Sequence, residues 1–466
     1  MPVPTSRRAG LSLLVVASAG FFLSVDLTIV NVALPDIQDD LGATSGGLAM
    51  VIDAYNVTLA SLLLLGAGLG ARFGQRTAFL AGIAVFTLAT LLAGLAQSTG
   101  QLVLWRAVMG IGAALLLAPA LALTAQIFEP GRRPRALATW ASASAIGLAA
   151  GPMIGGLVVS AAGWRWSFLL NVPFTAAILV VGAAVLPRHG PRTDEPIDAG
   201  GAVLSVVGLF VLVSAVIEAP HRGWTDPLIV AGLIAGAAIL AGYVWWELRR
   251  DHPMIDLRVF RRRGIRGASV ALFLSYIGFS GGLFLCTWQL EQVMGLPAWT
   301  VGWLVAPFAV VLWLATRVAA RLVTRIGLGR TVVSGVAPIV AGYVLLAAVA
   351  PLGQPLLVTF GLCLLAAGVG LVTPMSAVIS VNDLPDAMVS TASGLSMVSR
   401  FLGAAIGVAV LASVVAGVGG VAEAGEAGVW AAYAAGALAC AALGAWVLRL
   451  LWHWQPQPAP DAARTG

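Results

Sequence analysis

Four ionisable residues lie where water is scarce. Asp26 sits in the apolar run at residues 11–35, and Asp53 near the start of the next run. Arg106 belongs to QLVLWRAVMGIGAALLLAP and Arg400 to SRFLGAAIGVAV. A charge inside a membrane is costly unless it faces protein or water, so each is a candidate site. A carboxylate that alternates between a desolvated setting and a neighbouring cation takes up and releases a proton. Asp26 leads; its alternative is a structural carboxylate held by Asn31 or a backbone amide. If Asp53 is close to Asp26, the two titrate as a coupled pair; its alternative is an interfacial acid in water. Arg106 beside either acid makes a charge relay, in which protonating the acid frees the arginine. Its alternative is snorkelling to the outer interface. Arg400 reads as the counterpart of Arg106 in the second half of the chain. Tyr55 reads as an interface anchor. His189, His221, His252 and His453 all fall in loops or the tail, so proton chemistry falls to the carboxylates.

The elements that must position these groups are set by composition. The 466 residues are 59% hydrophobic and 10% charged, with a mean hydropathy of +0.96. A soluble domain is roughly a quarter charged, so the surface of this chain faces lipid. Its apolar runs are roughly 20 residues long, which suits helices crossing a ~30 Å hydrocarbon layer rather than the short alternating strands of a barrel. The net charge of +6 is carried entirely by arginine. In such a chain this is a topology signal, and no nucleic-acid partner is expected.

Several classes are excluded. Cys286, Cys363 and Cys440 are far apart in apolar runs, which fits neither a disulfide framework nor a zinc site. No metal, cofactor, nucleotide loop or nucleophilic triad is indicated, and the loops are too short for a catalytic domain. Gly110-Ile111-Gly112 follows no strand and reads as helix packing. Arg7-Arg8 before an apolar run resembles a twin-arginine signal. The run continues past Ala17-Ser18-Ala19, however, and no cleavage is expected.

Hydropathy places fourteen spans, near 11–34, 48–70, 77–96, 102–127, 137–162, 166–186, 199–217, 228–248, 267–290, 301–321, 331–351, 355–381, 391–416 and 428–451. With both termini cytoplasmic, only Arg165 and Arg222 fall outside, while residues 249–266 form a basic inner loop. The expected organisation is an N-terminal segment 1–10, a six-helix bundle 11–186, an inserted pair 199–248, the loop 249–266, a second six-helix bundle 267–451 and a tail 452–466. A faint repeat supports two halves: AGLGARFG at residues 67–74 recurs as ARLVTRIG at 320–327. Paired halves of this kind place a binding site between them near the midplane.

Four stretches carry a family resemblance over nearly the whole chain: VDLTIVNVALPDIQ from Val25, VIDAY from Val51, AIGLAAGPMIGGLVVSAAGWRWSFLLNVP from Ala145, and SRFLGAAIGVAV from Ser399. The chain resembles the 14-spanner drug:proton antiporters of the major facilitator superfamily, and within them the actinobacterial methylenomycin-resistance and multidrug efflux type. The resemblance implies two six-helix bundles with two extra central helices, in a bacterial cytoplasmic membrane. It also gives Arg106 a role in proton transfer. The loop carrying Arg72, Gly74 and Arg76 is implied to be an inner gate, but Ala67 and Ala71 replace the family's usual glycine and aspartate.

Gly147, Gly151 and Gly155 stand four residues apart and make one smooth helix face. With Gly156 and the bend imposed by Pro152, they read either as a tightly packed static face or as a seam along which the two halves rock, and Gly403 and Gly407 repeat the spacing; the resemblance favours the seam. The resemblance ties this signature to exchange rather than uptake. Asn31, Phe284, Trp288, Trp303 and Arg400 are the substrate-cavity candidates, aromatic faces suiting planar lipophilic compounds and cations. Trp313 and Glu291 are weaker ones. The expected function is export of small lipophilic compounds in exchange for protons, by a monomer. A nutrient symporter or facilitator, and a non-transporting sensor or scaffold, remain as alternatives. Because only Asp26 and Asp53 are counted as acids within spans, dicationic substrates are disfavoured.

Overall fold

The computed structural model describes residues 6–129, 131–188, 198–250, 253, 257–384, 389–417 and 425–454. Residues 1–5, most of the 187–198 loop with His189, parts of the basic loop with His252, and the tail from 455 lie outside them. Helices account for almost all of the rest, as they must where lipid offers no partner for backbone amides. They are α1 (Ser6–Leu41), α2 (Ser45–Phe73), α3 (Gln75–Gly94), α4 (Thr99–Ile127), α5 (Arg133–Ala162), α6 (Arg165–Leu169) and α7 (Asn171–Val185). An added pair follows, α8 (Ala199–Arg222) and α9 (Pro227–Arg249). The second half holds α10 (Arg263–Tyr276), α11 (Gly282–Trp288), α12 (Ala298–Ile326), α13 (Leu328–Val349), α14 (Pro355–Asn382), α15 (Val389–Gly417) and α16 (Gly425–Leu451). Thirteen spans are long and apolar enough to cross a bilayer, α6 with α7 and α10 with α11 each counting as one. The two arms of α5, bent by 44° between Leu148 and Met153, make a fourteenth.

Each half has its own core. One cluster runs through Phe79, Phe86, Leu116 and Phe168; the other through Leu285, Ile339, Tyr343 and Tyr433. The repeat is visible in backbone contacts. A Cβ on Gly147 would stand 2.3 Å from the carbonyl oxygen of Phe21, and one on Gly403 would stand 2.4 Å from that of Phe273. So α1–α5 and α10–α15 are equivalent pairs. Gly74 and Gly327 match likewise, with φ of +93° and +86° at the turns after α2 and α12, a region open mainly to glycine.

These contacts correct the reading of the glycine seam. Gly147, Gly151 and Gly155 face Phe21, Thr28 and Ile29 of α1. The smooth face therefore welds α5 to α1 within the first half and does not lie between halves. Gly156 meets nothing within 4 Å and points outward. The bend in α5 has a local cause. Pro152 has no N–H to give to the carbonyl of Leu148; Thr28 Oγ1 donates to that oxygen instead, at 3.1 Å.

The halves meet along the other side of α5, where the Ser142 and Thr316 hydroxyls bond at 2.6 Å. At the end that carries the N-terminus they are packed shut. Ala122 and Ala125 of α4 share a cluster with Val381, Leu384, Ala392 and Leu395 of the second half, and Val259 of the basic loop plugs into it. Arg133 Nη1 donates to Asn382 Oδ1 across the same end at 3.3 Å. Arg76 ties elsewhere, donating to the Ala183 carbonyl inside the first half at 2.7 Å. The α8–α9 pair covers the crevice between α2 and α15, with Leu64, Leu209 and Tyr243 buried against Val398 and Leu402. Glu247 of α9 is 1% exposed, a buried acid within a span that sequence reading, counting only Asp26 and Asp53, did not register. His221 falls in the last turn of α8 rather than in a loop.

Gly147→Leu is expected to force α1 from α5 and lower the thermal unfolding midpoint, with an overpacking cost of about 1–3 kcal/mol or more. Gly156→Leu is expected to leave the midpoint unchanged. Melting of the two variants beside the native chain in one detergent checks both.

Candidate functional site

Asp26 lies near the middle of Ser6–Leu41, because α1 continues past Pro35. The acid is therefore deeper than a span ending at residue 34 implies. Both Asp26 and Arg106 are 0% exposed, and Arg106 Nη1 donates to Asp26 Oδ2 at 2.8 Å. Snorkelling is thus excluded for Arg106. Its Nε donates to the Val51 carbonyl at 3.1 Å, and its guanidinium lies 4.4 Å from the centre of the Tyr55 ring. Tyr55 is 1% exposed, so it is a wall of this site and not an interface anchor.

The approach of α2 to α4 that permits this rests on Gly110, where a Cβ would stand 2.8 Å from the Tyr55 carbonyl oxygen. Asp26 and Arg106 meet through one oxygen and one nitrogen. Asp26 Oδ1 and Arg106 Nη2 are buried without a hydrogen bond. Asn171, the first residue of α7, flanks Asp26 within reach of its carboxyl. A buried pair is strong only when its remaining lone pairs and protons are satisfied. Here the ion pair itself is a single N–O contact, and Asn171 is the side chain placed to serve the rest of the carboxylate. Asn31, the partner offered by sequence, is exposed instead. Asp53 lies two residues from Tyr55, about 200° around α2, and is partly exposed.

Between the halves is a cavity of about 150 Å³. The first half lines it with Leu23, Ser24 and Leu27 of α1, Tyr55 and Leu59 of α2, and Trp140 and Ser144 of α5. The second half contributes Tyr276, Phe279 and Ser280, Thr316 of α12, Thr373 of α14 and Arg400 of α15. Tyr55 is shared: one face of its ring bears Arg106, and the residue borders the cavity. A single ring thus separates the ion pair from the space between the halves.

Of the five substrate-cavity candidates, Arg400 alone lines this space. Trp303 is 65% exposed on the outer surface. Phe284 and Trp288 pack on the core of the second half. Their displacement has a cause at residues Ile277–Gly281, which form a π turn. The wider turn re-phases the helix by the equivalent of one residue, ~100°. Tyr276, Phe279 and Ser280 take the inner face, and the face is not continued to Phe284. Trp313 stacks under Arg317 at 3.8 Å. Arg400 is also not the counterpart of Arg106, which is on α4 and so matches α14. Arg400 stands three residues before Gly403, as Ser144 stands three before Gly147. It is the equivalent of that serine.

Sequence reasoning missed Asn171 and Trp140. Each is a polar-capable residue in an apolar run, a signal that was available but weaker than a charge. It also missed Asp383, next to α14. Burial pushes the Asp383 carboxyl upward, against the pull of Arg262, and Arg262 Nη1 donates to the Asp383 carbonyl at 2.5 Å. Among the described residues no cluster of potential metal ligands occurs.

The family model of the Major Facilitator Superfamily matches residues 16–408. The chain is 32% identical to the multidrug resistance protein Stp of Mycobacterium tuberculosis over 413 residues, covering 88% of this chain and 76% of that one. It is 31% identical to the methylenomycin A resistance protein of Bacillus subtilis over 328 residues, 70% of each. Its fold is similar to that of the proton:xylose symporter XylE, with a TM-score of 0.68 at 13% identity over 95% of this chain and 96% of that one. A two-half bundle with a cavity between the halves, a match over most of the length and relatives in antibiotic resistance agree: the chain belongs to the Major Facilitator Superfamily of membrane transporters.

Proposed function

We propose that this transporter exports small lipophilic compounds across the cytoplasmic membrane in exchange for protons, with both termini cytoplasmic and the Asp26–Arg106 pair as the coupling element. The observation that carries this reading is that pair, fully buried and one tyrosine ring from the cavity. The relatives named for drug and methylenomycin resistance support the direction of transport. The arginine placement supports the orientation.

The mechanism follows from charge. Protonating Asp26 removes the partner of Arg106, and a buried cation without a partner is unstable by several kcal/mol. Arg106 must then move, and Tyr55 and the Val51 carbonyl, its other contacts, move with it. Tyr55 lines the cavity, so the cavity changes shape. Export by exchange requires the proton and the compound to bias one equilibrium in opposite directions. A ring shared by both sites gives them that common element. In this reading Asp53 stands outside the relay, and Asn171 orients Asp26.

Two outcomes are expected. In everted vesicles, Asp26→Asn should lose proton-driven transport by roughly tenfold or more, ~1.4 kcal/mol in the coupling step, while purified protein still binds compound. Asp53→Asn should keep proton-driven transport and its pH dependence. Unchanged transport in Asp26→Asn would overturn the assignment.

The second outcome concerns stability. Arg106→Leu alone leaves a buried acid unpaired and should destabilise the fold by about 3–5 kcal/mol, whereas Asp26→Leu/Arg106→Leu should recover most of that. Thermal midpoints of the single and double variants check it. A double variant that folds yet fails to exchange protons separates coupling from scaffolding.

A further inference from the structure

The cavity holds a charge that no described residue of its lining balances. Arg400 is 6% exposed and lines the space between the halves. Its Nε has no hydrogen-bond partner, and its Nη1 reaches only the sulfur of Met397, at 3.9 Å. Among the described residues that line the cavity, there is no aspartate, glutamate or histidine. The guanidinium instead lies between two rings, 5.2 Å from Trp140 of the first half and 4.8 Å from Tyr276 of the second.

Magnitudes decide what this means. Each cation–π contact contributes about 0.5–2 kcal/mol, while burying an ion costs several kcal/mol even after relaxation. Arginine cannot escape by losing its proton. The two rings orient the charge but do not neutralise it. Three further polar atoms on lining residues are also buried without partners: Trp140 Nε1, Ser144 Oγ and Thr373 Oγ1. With Arg400 Nε they form a set rich in donors and lacking a fixed acceptor.

We propose that the cavity selects acidic aromatic compounds, a carboxylate or phenolate on a planar ring, with Arg400 as the anchor. This rests on the export reading above and names its substrate class. The anion takes the open edge of the guanidinium, where a carboxylate meets an arginine fork in two parallel bonds. Ser144 or Thr373 donates to a second acceptor, and Tyr276 and Trp140 flank the ring. A cavity of about 150 Å³ holds roughly one benzene-sized group, so the head group and first ring are what this state recognises. The sequence expectation against dicationic compounds came from counting acids. The cavity lining contains none of them.

The test is equilibrium dialysis of purified full-length protein in nanodiscs, without a proton gradient. The probes are radiolabelled 2-naphthoate, 2-naphthamide and 2-naphthylmethylammonium, with empty nanodiscs subtracted. Wild type is expected to bind naphthoate at least about tenfold more tightly than the ammonium, ~1.4 kcal/mol. Arg400→Gln should bring that ratio near one and leave the amide almost unaffected; Arg400→Lys should retain part of it. Equal or tighter binding of the ammonium by wild type overturns the proposal, whether or not the variants fold. So does an anion preference that survives in Arg400→Gln. Because no gradient is applied, the result is independent of proton coupling. A protein that prefers naphthoate but shows no proton-driven export defeats the exchange reading alone; one that exchanges protons but prefers the ammonium defeats this proposal alone.

Discussion

The contact between Arg106 and Asp26 constrains everything around it. Two opposite charges with no exposure, 2.8 Å apart, are tolerable in a lipid-embedded protein only if neither is left alone. That demand fixes three helices at once. Deep within its span, α1 must present the acid inward, α4 must reach it with the longest cationic side chain, and α2 must close over both with Tyr55. Small residues make this possible. At Gly110 the α4 backbone comes close to the Tyr55 carbonyl, and at Gly66 a Cβ would stand 2.4 Å from the Ala114 carbonyl oxygen. Lipid supplies no hydrophobic drive between helices, so such close approach is how they hold together. The glycines of the first half serve the charge pair before they serve motion.

The two halves share a plan, and the chemistry lies where they differ. Phe21 and Phe273 occupy equivalent places under Gly147 and Gly403. Five residues further on, the first half has Asp26 and the second has Gly278, inside a π turn. The position held by Ser144 in the first half is held by Arg400 in the second. One half thus contributes a neutralised acid behind its wall, and the other an uncompensated cation on its wall. A duplicated scaffold gives the rigid bodies, and substitution at matched positions gives each a separate electrostatic task.

The span pattern was legible because backbone satisfaction in lipid leaves few options, and each apolar run became a helix or a continuous helical rod. Asp26 and Arg106 were legible as candidates because a charge in such a run has no ordinary reason to be there. Their pairing was within reach of sequence, whereas the position of Asp53, about 200° around α2 from Tyr55, was not, because composition does not report helical phase. Phe284 and Trp288 failed for the same reason: the π turn at Ile277–Gly281 rotates the face that a regular helix would have continued, and nothing in IGFSG announces it. The glycine seam was identified correctly as a close-packing face, but its partner was misplaced. Spacing tells which residues share a face and not which helix that face meets.

The position of Arg400 bears on how the halves close. It sits on α15 of the second half, yet one of its two flanking rings, Trp140, belongs to α5 of the first. The charge is therefore held across the dividing line, beside the Ser142–Thr316 bond that joins the same two halves. When the halves part on this side, the guanidinium loses a ring and gains water, and its unmet demand for an anion falls. When they close, that demand rises. Under the proposed anion recognition, a compound that answers it is held most tightly in the closed state and released as the interface opens, with no change in its own charge. Such a site needs no gate residue dedicated to release, because the dielectric of the interface performs that role. In the proposed exchange the proton acts on the other side of Tyr55, on a pair that is already neutral as a unit, so the two proposed cargoes meet through the movement of a ring rather than through direct competition for one charge.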